Sequence, residues 1–226
     1  GGKPNIVRIP INADSMLDVQ NSYLKFDIVL PATNNSGFDF PQSYIKRLRI
    51  LSGGTVLEDI DQYGRLYAGI LYPAQAGYNA VKSNSITNQQ GILNATTKAL
   101  TVLHNAHNAQ VHSTTYKMCL HLASGLLNLD KYLPLVMMNA GFTIELEFDS
   151  QGSIGMSAGT IVDWTIENVR YVAHLIDLER DFYDRLRMVM EGSGGVLQLA
   201  GQTYRHFVGD MPNNAGPHTI TLPARV

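Results

Sequence analysis

Three histidines, His104, His107 and His112, stand close together, and an i, i+3 pair on a helix would present two imidazoles to one metal ion. A zinc site also needs a third ligand and outer groups that fix the rings. The surrounding run HNAHNAQVH offers little to fix them, so a solvated polar loop is the simpler reading. Glu58, Asp59 and Asp61 could hold a hard cation, but they lack the alternating oxygen ligands and the glycine of a calcium loop. Helix capping accounts for them. Glu145 and Glu147 fall on one face of a strand pattern about 7 Å apart, within the range for paired carboxylates in acid–base work. With no cleft or desolvating neighbour in view, both read as outward-facing and solvated.

The remaining chemical candidates are weaker. Cys119 is the single cysteine and sits at an alternating strand position, which suits a structural thiol better than a nucleophile. The run Gly192-Ser193-Gly194-Gly195 follows a helix pattern, whereas a hydrolase elbow needs strand, turn and helix in that order. Walker and dinucleotide fingerprints are absent. Asn34-Asn35-Ser36 and Asn94-Ala95-Thr96 match the glycosylation pattern, which matters only for a secreted chain. Lys46, Arg47 and Arg49 form the densest basic cluster and suit a subunit contact as well as a phosphate site. No residue is assigned as catalytic, cofactor-binding or metal-ligating, and no cofactor is expected.

Composition narrows the class. The 226 residues are 45% hydrophobic and 16% charged, enough for a substantial core. Twenty glycines and nine prolines spread along the chain suggest frequent turns between short strands, as in an all-β sandwich. A net charge of -2 provides no field for a polyanion, so direct nucleic-acid binding is not expected. One cysteine excludes an internal disulfide framework. No apolar run approaches the ~20 residues of a membrane span, and the opening GGKPNIVRIP has no apolar signal core. The expected setting is a reducing cytosol or nucleus.

Alternation marks the strands. Phe142, Ile144, Leu146 and Phe148 share one face, with Thr143, Glu145 and Glu147 on the other. Leu24, Phe26, Ile28 and Leu30 repeat the pattern, as do Tyr116, Met118, Leu120 and Leu122, which sets Lys117, Cys119 and His121 opposite. Leu48 and Ile50 alternate with Arg47 and Arg49 up to Ser52-Gly53-Gly54, a turn that predicts a hairpin returning from Thr55. Val162, Trp164 and Ile166 have one parity while Val169, Tyr171, Ala173 and Leu175 have the other, so a β-bulge is expected near Glu167-Asn168. Further strands are expected over 5–11, 196–200, 203–208 and 218–224, for a total of about eight to ten in a two-sheet sandwich of jelly-roll size.

Two helices are expected. Asp59 and Gln62 resemble a capping box, followed by Ile60, Tyr63, Tyr67 and Ile70 at helical spacing until Pro73. In the second, Asp177 is the expected N-cap, Leu178, Phe182, Leu186 and Val189 form an apolar stripe, and Gly192 takes the C′ position. Residues 78–110 read as a long polar excursion, either a loop or a loop with a short helix near 97–104.

The succession of these segments resembles the major capsid proteins of double jelly-roll double-stranded DNA viruses, the lineage of polinton-like viruses, virophages and giant-virus relatives. DVQNSYLKFDIVLPA, from Asp18, looks like an early strand of their first jelly roll, and SGGTVLEDIDQYGRLY is similar to their hairpin and following helix. LLNLDKYLPL, from Leu126, resembles the loop before the core strand FTIELEF. The run from Val169 to Phe207 looks like the last long strand, its helix and the closing strand.

The resemblance implies an all-β jelly roll of two antiparallel sheets over 1–209, with 210–226 a connector and first strand of a second, incomplete jelly roll. It implies a non-enzymatic subunit of the virion capsid, assembled in host cytoplasm or nucleus. Its partners would be other copies of itself in a homotrimeric pseudo-hexagonal capsomer and neighbouring capsomers, with penton and minor capsid proteins beyond. Candidate contact regions are 79–110, the loop 128–140 with Val136, Met137 and Met138, and the tail 210–226; core packing explains those three apolar residues equally well. Penton or minor jelly-roll capsid proteins share the architecture. A carbohydrate-binding sandwich, using Tyr72, Tyr78 and Tyr132, is the rival from another class, followed by a cupin-type metalloenzyme.

Overall fold

The period-two runs become the walls of a sandwich. The computed structural model describes residues 5–29, 41–71, 92–93, 100–101, 115–138, 141–149, 156–157, 160–161, 165–195, 199–207 and 219. Sheet 1 has the order β1 (Asn5–Ile11), β9 (Phe142–Phe148), β3 (Ile45–Ser52), β4 (Thr55–Asp61), antiparallel throughout. Sheet 2 has the order β12 (Thr165–Ile176), β2 (Met16–Val29), β7 (Thr115–Leu120), and β8 (Leu133–Pro134) pairs with the start of β2. Two short antiparallel pairs stand apart: β5 (Ile92–Leu93) with β6 (Leu100–Thr101), and β10 (Met156–Ser157) with β11 (Thr160–Ile161). Leu100 and Thr101 are thus extended, where a short helix was one of the two expectations; residues around them lie outside the described set.

The core forms where the two apolar faces meet. Leu24, Phe26 and Ile28 of β2 and Met118 and Leu120 of β7 face Leu48 and Ile50 of β3 and Phe142, Ile144, Leu146 and Phe148 of β9, all buried. Phe26 and Phe148 meet edge to face across the sheets with ring centroids 5.7 Å apart. Burying each such side chain contributes about 1.5–3 kcal/mol, so this seam holds the sheets together.

Turn chemistry sets the register of the first hairpin. Gly53 and Gly54 both take positive φ, 54° and 85°, so a two-residue turn joins Ser52 to its partner Thr55. The pairing then slips: Leu51 faces Val56 but Ile50 faces Glu58, leaving Leu57 as an extra residue. This bulge turns Glu58 and Ile60 inward.

The expected bulge in β12 is present. Glu167 pairs Asp27 and Arg170 pairs Lys25, with Asn168 at φ 53° between them. A second slip, not foreseen, falls between Val172 and His174, where β2 holds the extra residues. It reverses the inward side again, so Leu175 is 43% exposed rather than on the inner face with Tyr171 and Ala173. Leu30, Val162 and Trp164 lie outside the described residues.

Both helices differ from the pattern reading. Asp59 and Ile60 belong to β4, and helix α1 (Tyr63–Leu66) begins after Gln62, whose φ of 52° and lack of a side-chain cap rule out the capping box. A π-helical turn, Tyr67–Leu71, continues it. Helix α2 (Arg180–Gly192) has Glu179, not Asp177, at its N-cap. Gly192 is its last residue; Gly194 N–H bonds the Glu191 carbonyl at 3.2 Å and Gly195 N–H the Met190 carbonyl at 2.7 Å, with both glycines at positive φ. That is a Schellman ending with Gly194 at C′. The stripe of α2 stays largely exposed: no residue of the helix is buried, and Met188 and Val189 are each 68% exposed. Residues 199–207 form no strand, contrary to the expectations for 199–200 and 203–207; 196–198 and 208 lie outside the described residues.

Candidate assembly surfaces

One end of the sandwich is closed by a clasp. Because the bulge at Leu57 points Glu58 inward, its carboxylate reaches the loop after β7 and accepts from Gly125 N–H at 2.8 Å and Leu126 N–H at 3.3 Å. Tyr63 at the start of α1 is fully buried, and its hydroxyl oxygen accepts from Ala123 N–H at 2.7 Å. Burial pushes the Tyr63 phenol well above the usual tyrosine range. Ser124 Oγ accepts from Leu127 N–H at 3.0 Å, completing the loop. A Cβ on Gly125 would lie 2.8 Å from the Gln202 carbonyl oxygen, and one on Gly201 would collide with the Gly125 carbonyl, so the chain after α2 crosses this loop backbone to backbone.

The acidic run therefore serves three separate ends, none of them helix capping. Glu58 holds the loop, Asp59 forms a two-bond pair with Arg47 at 2.7 and 2.6 Å, and Asp61 Oδ2 stands 4.0 Å from His206 Nδ1. Asp59 in turn raises the Arg47 guanidinium above its ordinary range.

Sheet 1 carries an ion-pair ladder on its outer face. Arg8 of β1, Glu145 of β9 and Arg49 of β3 stand side by side in register. Arg8 Nε donates to Glu145 Oε2 at 2.6 Å, and the Arg49 guanidinium lies against Oε1 in an ion pair outside hydrogen-bond geometry. The two arginines cover the carboxylate, which is 2% exposed. Glu145 is thus buried and paired, not solvated as its alternation suggested. Glu147 pairs with Lys46 at 2.9 Å and stays partly exposed, and this contact raises the lysine ammonium above its ordinary value. Each carboxylate has its own cations, so the two form a structural ladder and not an acid–base couple. The basic cluster is likewise committed: Lys46, Arg47 and Arg49 all have acidic partners.

Polar groups pin both slips of sheet 2. Asn168 Nδ2 donates to the buried Asp27 at 2.8 Å. At the second slip, Asn21 Nδ2 donates to Asp18 Oδ2 at 2.7 Å, and Ser22 Oγ donates to the Asp18 carbonyl at 2.5 Å while accepting from His174 N–H at 2.9 Å. The Asn21 bonds hold the Asp18 carboxyl below its usual value. This Ser, His and Asp are not a triad: the serine is bonded to the backbone of His174, not to its ring.

The other sequence candidates resolve as follows. Cys119 is partly buried, and burial pushes its thiol up, against the direction a nucleophile needs. His104, His107 and His112 lie outside the described residues, as do Tyr72 and Tyr78. No group of three metal-type side chains occurs among the described residues. No helix among them is long and apolar enough to cross a membrane. Of the contact regions, 210–226 except residue 219 and most of 79–110 lie outside the described set. The loop 128–140 contains β8 and a 3-10 turn, Leu135–Met137; Val136, Met137 and Met138 are half-buried, with Met138 against the core. Tyr132 is 49% exposed. Sequence reasoning missed Glu58, Tyr63 and Glu145 as buried polar anchors; their only local signal was polarity at positions flanked by core residues.

Two facing antiparallel sheets with an apolar seam between them define a jelly-roll sandwich. No protein-family model and no curated protein matches the chain. Among solved structures, VP54 of PBCV-1, fitted into a cryo-EM reconstruction of the virophage Sputnik, superposes with a TM-score of 0.50 at 13% identity, over 82% of this chain and 41% of that one. A quasi-atomic model of the PBCV-1 virus capsid gives 0.49 at 12% identity with the same coverage. The chain spans about two fifths of the VP54 chain and over that part shares its jelly-roll fold.

Proposed function

We propose that this chain is a jelly-roll unit of a viral major capsid protein, a structural subunit that trimerises into pseudo-hexagonal capsomers of an icosahedral shell. The observation that carries the reading is the fold shared with VP54 over 82% of this chain. The ladder on sheet 1 and the clasp support it: they stiffen a sandwich and form no reaction centre. On this reading residues 1–209 are one jelly roll, 210–226 lead towards a second, the partners are copies of the same chain and neighbouring capsomers, and the protein resides in the virion.

Native mass spectrometry of the protein taken from its natural assembly tests this. Trimers whose chains are heavier than 24.9 kDa are expected. Monomers of 24.9 kDa would overturn the reading in favour of a stand-alone binding module.

A further inference from the structure

β4 ends sheet 1, so among the described residues its outer backbone groups have no ladder partner. Residues 203–207, Thr-Tyr-Arg-His-Phe, run beside it across a cleft of about 360 Å³ lined by Arg47, Leu57, Asp59, Asp61, Arg205 and Phe207. The segment contains neither glycine nor proline and is rich in strand-forming types, yet it forms no strand. Two contacts tether it. Gly201 sits on the Gly125 backbone, itself bonded to Glu58, and His206 Nδ1 stands 4.0 Å from Asp61 Oδ2. Residue 201 therefore lies towards Glu58 and residue 206 beside Asp61, so the segment runs in the same direction as β4.

We propose that residues 202–207 are a strap that closes onto the edge of β4 left unpaired among the described residues, as a fifth, parallel strand of sheet 1. Closure pairs the outer backbone groups of β4 with those of the strap and covers Val56 and Leu57, which line the cleft and are 45% and 48% exposed. It caps an edge that would accept an extended segment of another chain. Gly201 anchors the start of the strap, because a side chain there would force the crossing at Gly125 apart. The strap does not depend on the capsid reading, and its test needs no assembly.

Amide hydrogen exchange on the full chain decides the matter. Residues 203–207 should exchange about tenfold or more slowly than a free peptide of the same sequence. Arg205→Pro, which removes a donor and bars strand pairing, should abolish that protection and speed exchange along β4 while leaving β9 and β2 unchanged. Exchange of 203–207 at the peptide rate in the unmodified chain would overturn the proposal, as would protection in β4 that Arg205→Pro does not alter. Should that variant fail to fold, Gly201→Ala must lower protection in 203–207 and β4 together; unchanged protection would equally sink the strap.

Discussion

The Glu58 carboxylate accepts the Gly125 N–H at 2.8 Å, joining β4 of one sheet to the loop that leaves β7 of the other, 67 residues away. The SGGTVLEDIDQYGRLY hairpin and the loop after β7 that leads into LLNLDKYLPL are thus one structural unit. Tyr63 strengthens it with a second bond, to Ala123.

Glu58→Ala leaves two loop N–H groups without an acceptor, each costing about 1–3 kcal/mol. Urea denaturation should show a loss of about 2–4 kcal/mol, with Glu58→Gln roughly half as harmful because its amide oxygen keeps one bond. A loss below about 0.5 kcal/mol would show that the loop is held by packing alone.

The ladder on sheet 1 gives a second expectation. Glu145 is buried but Arg8 is 70% exposed, so solvent screens part of the pairing. Glu145→Gln should cost about 1–3 kcal/mol, mostly through the uncompensated Arg49. A double-mutant cycle with Arg49→Met should show the two losses to be less than additive; strict additivity would mean that the pair is not coupled.

Acid should weaken the second slip of sheet 2. The Asp18 carboxyl is held below its ordinary value of 3.8, chiefly by Asn21, so its contribution is fully present above that pH. It is lost as pH falls through the lower folded value. Asp18→Asn should destabilise the chain at neutral pH and flatten this part of the acid limb, read by circular dichroism during titration. An acid limb identical to that of the unmodified chain would exclude the contribution.

Alkali should weaken the fold as well, through two phenols that burial holds protonated. Burial raises Tyr171 from 10.0 to about 12 and also lifts Tyr63 well above its ordinary value, so the unfolded chain loses these protons first. Stability should fall as pH rises above 10.0, continuing to about 12 for Tyr171. Tyr171→Phe should shallow that slope, followed by denaturation midpoints between pH 9 and 11; an unchanged slope would refute the assignment.

At the first slip of β12, Asn168 occupies φ 53° and also donates to Asp27. Asn168→Gly keeps the backbone conformation and loses the bond, whereas Asn168→Val loses both. The valine variant should be less stable than the glycine variant by about 1–2 kcal/mol in thermal or chemical unfolding. Equal stability would mean that the left-handed conformation is not required.

Much of the fold was legible because its signals are local. Alternation in Phe142–Phe148 and around Phe26 marked core faces, paired glycines marked the β3–β4 turn, and the change of parity beside Asn168 marked a bulge. Where a position answered to distant partners, the same reasoning failed. Asp59 looked like a helix cap because Gln62 follows at capping spacing, but its actual partner is Arg47 on the neighbouring strand. The stripe of α2 suggested burial, yet apolar residues at helical spacing specify only which side would be covered, not whether anything covers it.

The sequence by itself determined that the chain is a β-sandwich with an apolar seam between two sheets, since strand period and turn chemistry act over a few residues. Tertiary structure alone decided what its polar groups do. Glu145 is buried only because register brings Arg8 and Arg49 to either side of it, and Glu58 reaches Gly125 only because the slip at Leu57 turns it inward. Register is a relation between strands distant in sequence, so no local pattern could have assigned those roles.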